Sequence, residues 1–170
     1  IESLGEFNAT DEVGLRIFTT DLGPDGTANY QDLLPIQPMR TNREALASKI
    51  RDQFPLNATP LYDVTQASYD DLVAQYDGSK INAVVLLTDG QNDDGDTSDD
   101  RDQLTRLISS LRRGTEGESS KPIRIFPIAY GKAADLDTLT AIAEATNAAA
   151  YDASNPATIT KVFTAVVSNF

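Results

Sequence analysis

The sequence predicts an α/β domain, a mainly parallel sheet with helices on both faces, on three observations. The stretch Ile81–Gly90 runs through Ala83, Val84, Val85, Leu86 and Leu87 without polar alternation and stops at Thr88, Asp89 and Gly90, the pattern of a parallel strand covered on both faces. In the second half, strand-like runs alternate with segments of helical periodicity, as in sheets built from parallel strands. The 170 residues contain no repeat of fixed period and no low-complexity linker, so a single domain over residues 1–170 is the economical reading. A domain of that length buries roughly 70% of its unfolded surface and needs no staple.

Taken in order, Ile1–Phe7 reads as the tail of a helix that ends near Gly5. Val13–Thr20 alternates well enough for a strand, with Val13, Leu15 and Ile17 on one face. Pro24, Asp25 and Gly26 make a turn. Leu33–Met39 is apolar but broken by Pro35 and Pro38, which confines it to an edge strand or a loop. Thr41-Asn42-Arg43-Glu44 has the form of a capping box. A helix is therefore expected over Thr41–Phe54, with Leu46, Ile50 and Phe54 as its buried stripe and Pro55 as its stop. After the loop through Leu56, Asn57 and Ala58, a second helix is expected over Tyr62–Tyr76, with Val64, Ala67 and Leu72 inward.

Residues 91–100, beyond the Ile81–Gly90 strand, are the most acidic segment of the chain. Leu104, Leu107, Ile108 and Leu111 then recur at helical spacing and predict a helix over Leu104–Arg112, followed by a polar loop from Gly114 to Ser120. Ile123–Ala129 is the next strand, and Pro127 predicts that its final residues lie near the sheet edge or past the ladder. Asp135 is placed to cap a helix through Leu139, Ile142 and Ala145 that ends at Asn147, over Leu136–Thr146. Ala148–Tyr151 forms a short strand. Asn155 and Pro156 open the last helix, Pro156–Ser168, whose apolar face continues through Ile159, Val162, Phe163, Val166, Val167 and Phe170.

Composition removes whole classes of function. Without Cys or His there is no disulfide framework, no thiolate or imidazole zinc site and no Ser-His-Asp triad. A formal charge of −12, from 26 acidic residues against 14 basic ones with no Lys/Arg stripe, disfavours nucleic acid and favours cations or basic surfaces as partners. The longest apolar run falls far short of the roughly 20 residues of a membrane span, so no membrane insertion is expected within this segment, and Ile1–Leu4 is no signal peptide.

Asp89 stands in the first position beyond the central strand, where ligand crevices of open α/β sheets lie. Asp-Gly after a strand is also ordinary turn chemistry. What lifts Asp89 above that is Thr59-Pro60-Leu61-Tyr62, in a loop that opens a helix and precedes the strand and its Thr-Asp-Gly by some 30 residues.

With these motifs, with Ile123–Gly131 and with Asp152-Ala153-Ser154-Asn155-Pro156, the chain from Val13 onward resembles the von Willebrand factor type A (vWA) family. The resemblance implies a vWA-like, Rossmann-type sheet and a metal-ion-dependent adhesion site. Thr59 matches the family's Thr ligand, and Asp89 matches the Asp of its second acidic loop. It further implies Mg²⁺, or another divalent cation such as Ca²⁺ or Mn²⁺, and a protein partner that presents an acidic side chain. Adhesion without catalysis belongs to the same expectation, while the Ala- and Asp-rich composition and the family's frequent extracellular use point to a bacterial source and an extracellular or cell-surface setting, with a cytoplasmic one as the alternative. The chemistry is consistent with hard cations, which prefer oxygen ligands.

The sequence departs from the family in one respect. Its Asp-x-Ser-x-Ser motif occurs nowhere in the 170 residues, and the nearest approaches, Asp96-Thr97-Ser98 and Asp152-Ala153-Ser154, read as an acidic loop and a helix cap. The family sheet order, 3-2-1-4-5-6, places the missing first strand between the Val13 and Ile81 strands. An N-terminally incomplete domain is expected, with a gap of about 10 Å, two strand spacings, and with the ion held weakly.

Two other functions compete. One is a metal-independent scaffold within a larger assembly. The other is a nucleotide- or flavin-binding α/β enzyme, weakened because Gly23-Pro24-Asp25-Gly26 lacks the Gly-x-Gly-x-x-Gly form. An EF-hand in the acidic loop fails on spacing, since Gly90 takes the first ligand position and Arg101 the last.

Overall fold

The computed structural model describes residues 2–54, 56, 58–116 and 120–168. Pro55 as a helix stop, Asn57, the middle of the 114–120 loop, Ile1 and Phe170 lie outside the described residues. After a 3-10 turn at Glu2–Glu6, the strands are β1 (Glu12–Leu22), β2 (Ala28–Pro38), β3 (Asn82–Thr88), β4 (Ile123–Tyr130) and β5 (Tyr151–Ala153). The helices are α1 (Met39–Arg51), α2 (Leu61–Ala74), α3 (Asp100–Thr115), α4 (Leu136–Ala145) and α5 (Ile159–Val167), the last entered through a 3-10 turn at Pro156–Thr158.

The strands form two sheets, where one was expected. β1 and β2 make an antiparallel hairpin, while β3, β4 and β5 pair in parallel in that order. Among the described residues no ladder joins β1 to β3. Backbone groups pair across only about 4.8 Å, a spacing that β1 and β3 do not reach among the described residues.

β4 is the best-buried strand, with Ile123, Ile125 and Ile128 fully enclosed. Pro127 does not mark an edge, because Ile128 and Ala129 after it pair on both sides, with β5 as well as β3. Pro127 lies one residue before the β5 ladder begins, where a missing N–H is tolerated. β5 itself starts three residues later than expected. The N–H of Ala148 closes α4 by donating to Ala143, and Asn147 takes a left-handed φ of 55°, so the chain leaves the helix before it can extend.

Helix α1 begins at Met39, without the capping box. The Thr41 hydroxyl donates to the Pro38 carbonyl, 2.9 Å away, and no side chain caps the helix. The first N–H groups find backbone partners instead, Met39 on Asp11 and Arg40 on Ala9, so a side-chain acceptor is not needed. Its buried face is Met39, Asn42 and Leu46, with Asn42 donating to the Val13 carbonyl. Phe54, expected in this stripe, falls beyond the helix and is 83% exposed. Asp135 does cap α4, accepting from the Thr138 N–H and hydroxyl.

Three buried clusters follow from this layout. Leu61, Val64, Leu107, Leu111, Ile125 and Leu139 bring α2, α3 and α4 onto one face of the parallel sheet. Phe126, Ile128, Ala153 and Val166 bring α5 onto the other. Leu4, Met39 and Leu46 form a separate cluster beneath α1 and the hairpin. The hairpin is tied to α2 by Arg16, which binds Asp32 through Nε and Nη2 (2.7 and 3.0 Å) and Asp71 (2.6 Å), with its guanidinium 4.4 Å from the Tyr30 ring.

Candidate functional site at the carboxyl edge of the parallel sheet

Three loops meet where β3 and β4 end. β3 ends at the buried Thr88, whose hydroxyl lies 3.4 Å from the Gly90 N–H. Asp89, between them, is exposed. Gly90 backs directly onto the Thr59 side chain: a β-carbon on Gly90 would stand 3.1 Å from Thr59 Oγ1. On the other flank Gly131, just after β4, has a φ of 83°, and a β-carbon there would come within 3.9 Å of Asp89 Cβ. The two residues singled out in the sequence, Thr59 and Asp89, thus occupy one loop cluster, with Gly90 as the spacer that lets the loops approach.

The Thr59 loop is locked to the acidic loop by backbone. Thr59 and Asp93 exchange two hydrogen bonds, 2.9 and 2.8 Å, as an isolated antiparallel bridge. Asn92, 9% exposed, reinforces it by accepting from the Tyr62 N–H in the first turn of α2 and donating to Asp100 in the first turn of α3. Gln103 donates to both Asp94 and Asp99 at 2.8 Å. Side-chain amides therefore organise much of this acidic segment. Asp99 and Asp100 stand at the start of α3, where negative charge is favourable, and Arg112 and Arg113 sit in its last turn.

Asn92 and the Thr59–Asp93 bridge were not legible in the sequence. Their partners lie about 30 positions apart, and no local pattern marks an Asn that caps a distant helix.

The electrostatics of the cluster are negative. The hydroxyl pKa of Tyr62 is raised first by burial and then by the charge of Asp100, with smaller contributions from Asp135 and Asp94. Asp96 is held below the usual carboxylate range by hydrogen bonds from Ser98. The donor set at the Thr59–Asp89 junction is all oxygen, one hydroxyl and one carboxylate. Among the described residues no group of three or more acidic side chains is placed to hold a metal ion. Such a set suits a hard cation that keeps most of its shell as water, and does not amount to a closed protein cage.

A family model described as von Willebrand factor type A domain matches residues 1–165. The chain belongs to the von Willebrand factor type A family. Solved structures agree on the vWA fold. The chain is similar to proximal thread matrix protein 1 from the mussel byssus (TM-score 0.66, 16% identity), covering 99% of this chain and 38% of that one. It is similar to a von Willebrand factor type A protein from Catenulispora acidiphila (TM-score 0.65, 18% identity), covering 98% and 35%. An aerotolerance-related membrane protein from Bacteroides fragilis is also similar (TM-score 0.66, 14% identity), covering 99% and 84%. The vWA chain here thus spans little more than a third of the first two proteins. No curated protein gives a significant match. Among the described residues no helix is long and apolar enough to cross a membrane.

Proposed function

We propose that this vWA domain is a protein-binding module, without turnover of its own, that engages a carboxylate of its partner through a divalent cation at Thr59 and Asp89. One observation supports the reading: Gly90, the residue after Asp89, packs against the Thr59 side chain at the carboxyl edge of the parallel sheet. The family is commonly involved in protein interaction or adhesion, which supports the same class of role. In this role Thr59 offers a neutral hydroxyl and Asp89 one negative charge, directly or through water. When bound, a divalent cation supplies an open coordination position for a partner oxygen. The Thr59–Asp93 bridge and Asn92 hold the two loops in register, so the donors need little reordering. An extracellular or cell-surface setting fits this role, and the fold likeness to a protein described as aerotolerance-related and membrane is in keeping with it.

With so few protein ligands the affinity is expected to be about millimolar or weaker. Calorimetric titration of the chain with Mg²⁺, beside Asp89→Ala and Thr59→Val, tests it. Weak binding lost in both variants supports the assignment. Binding that survives in both sinks it and moves the ion to the Asp93–Asp100 loop.

A second reading, a metal-independent scaffold in a larger assembly, is favoured by the lack of any three-carboxylate group among the described residues. It predicts no binding heat at any Mg²⁺ concentration, with partner capture unchanged by a chelator.

A further inference from the structure

We propose that the groove between α2 and α3 docks an acidic segment of a partner protein, held in polyproline II form with two carboxylates about three residues apart. The groove has a volume of about 580 Å³ and is lined by Tyr62 and Gln66 from α2 and by Gln103, Arg106, Ser110 and Arg113 from α3. The two helices run in the same sense. At their starts Asn92 ties them, accepting from the Tyr62 N–H and donating to Asp100. Further along, Tyr69 closes against Gly114. Between these two contacts the groove stays open.

Gln103, Arg106, Ser110 and Arg113 recur at three- and four-residue steps and so form one stripe of α3. It lies beside the apolar stripe of Leu104, Leu107 and Leu111, which packs into the core. Leu107 and Tyr62, both buried, make the floor, so the groove is apolar below and cationic along its α3 wall. Arg113 follows Arg106 by two helical turns, about 10.5 Å along the axis. A polyproline II chain brings residues i and i+3 onto one face about 9 Å apart, and it needs no ladder partner. A β-strand would turn the same two residues to opposite faces.

Charge complementarity names the occupant. The chain carries 14 basic residues against 26 acidic ones, yet Arg101, Arg106, Arg112 and Arg113 all lie on α3. Among the described residues Arg113 has no acidic partner, and Arg106 reaches Asp99 only at 3.7 Å with its side chain 67% exposed. Both guanidiniums are free to take a carboxylate through two parallel N–H···O bonds. Asp63 is the one carboxylate in the lining, and it is itself engaged by Asn29 of β2. The more distant acidic residues oppose the ligand weakly, because their field is screened over about 8 Å at physiological salt, whereas the two arginines touch it.

The inference does not rest on the metal reading and is tested in the presence of a chelator. The isotopically labelled chain is titrated, with NMR detection, with a Gly-flanked Glu-Pro-Pro-Glu peptide. Two controls are the Gln-Pro-Pro-Gln peptide and a Pro-Glu-Glu-Pro peptide of the same charge. The Glu-Pro-Pro-Glu peptide is expected to shift the α3 amides from Gln103 to Arg113 and to saturate with a Kd of about millimolar or below. Arg106→Ser and Arg113→Ser, at exposed positions that leave the fold intact, should each weaken binding about threefold, and together about tenfold. The proposal is overturned if the Glu-Pro-Pro-Glu peptide shifts nothing, if either control binds as well, or if the double variant keeps its affinity. Shifts confined to Thr59 and Asp89, or appearing only once Mg²⁺ replaces the chelator, would also overturn it while favouring the metal reading.

Discussion

The hydroxyl of Tyr69 in α2 is pressed against Gly114 in α3, and among the described residues it has no hydrogen-bond partner. A methyl group at Gly114 would overlap that hydroxyl and stand 2.8 Å from the ring carbon bearing it. Helix propensity alone would favour Ala at this helical position by about 1 kcal/mol. Overpacking at a closed α2–α3 contact costs about 1–3 kcal/mol and wins. Gly114→Ala is therefore expected to lower the urea midpoint. Tyr69→Phe, which removes an unpaired buried oxygen, should be neutral to about 1 kcal/mol stabilising. In the double variant part of the Gly114→Ala loss should return; an additive result would show that the two side chains do not compete for the space.

Arg16 is the main polar clamp between the hairpin and α2, with a side chain 16% exposed and carboxylate partners more than half exposed. Its planar fork matches Asp32 in a two-bond geometry that Lys cannot reproduce. Solvent screening at Asp32 and Asp71 limits the loss, so Arg16→Lys is expected to cost about 1–2 kcal/mol. Arg16→Ala should cost more through lost stacking on Tyr30. Chemical denaturation followed by circular dichroism checks both, and equal stability of Lys and native chains would refute the clamp.

Burial raises the hydroxyl pKa of both Tyr69 and Tyr62 above the ordinary 10.0, with Asp70 and Asp100 respectively adding to the effect. The neutral phenols are favoured in the fold. Below pH 10 both states hold these protons and the contribution is complete. As the pH rises past 10 the unfolded chain releases them first, so stability falls toward the raised folded values. Urea midpoints measured from about pH 8 to pH 11 should decline above 10, and less steeply in Tyr69→Phe. The same slope in that variant would remove Tyr69 from the explanation.

Much of the architecture was legible because periodicity is local. The helical repeat of Leu104, Leu107 and Leu111 and the unbroken apolar run of β3 each depend on neighbours within a few residues, and both elements stand where expected. What escaped depends on distant partners. The start of α1 is set by the carbonyls of Ala9 and Asp11, not by Thr41. Pro127 tolerates a central strand because of where β5 begins, which nothing near it encodes. At the site, Thr59 and Asp89 were found through family likeness, while Asn92, which pins the loops together, carries no motif.

The separation of the Leu4–Met39–Leu46 cluster from the other two bears on how the molecule comes apart. A core shared throughout makes unfolding all-or-none, because no part can be lost without exposing the rest. Here the hairpin and α1 keep an apolar interior of their own, joined to the parallel sheet mainly by the Arg16 clamp, the Glu12–Lys80 pair and a few rings. The block from Leu4 to Arg51 is therefore expected to open as a subglobal unit before β3, β4 and β5 lose their helices. Cooperativity is expected to divide along the same line as the sheet.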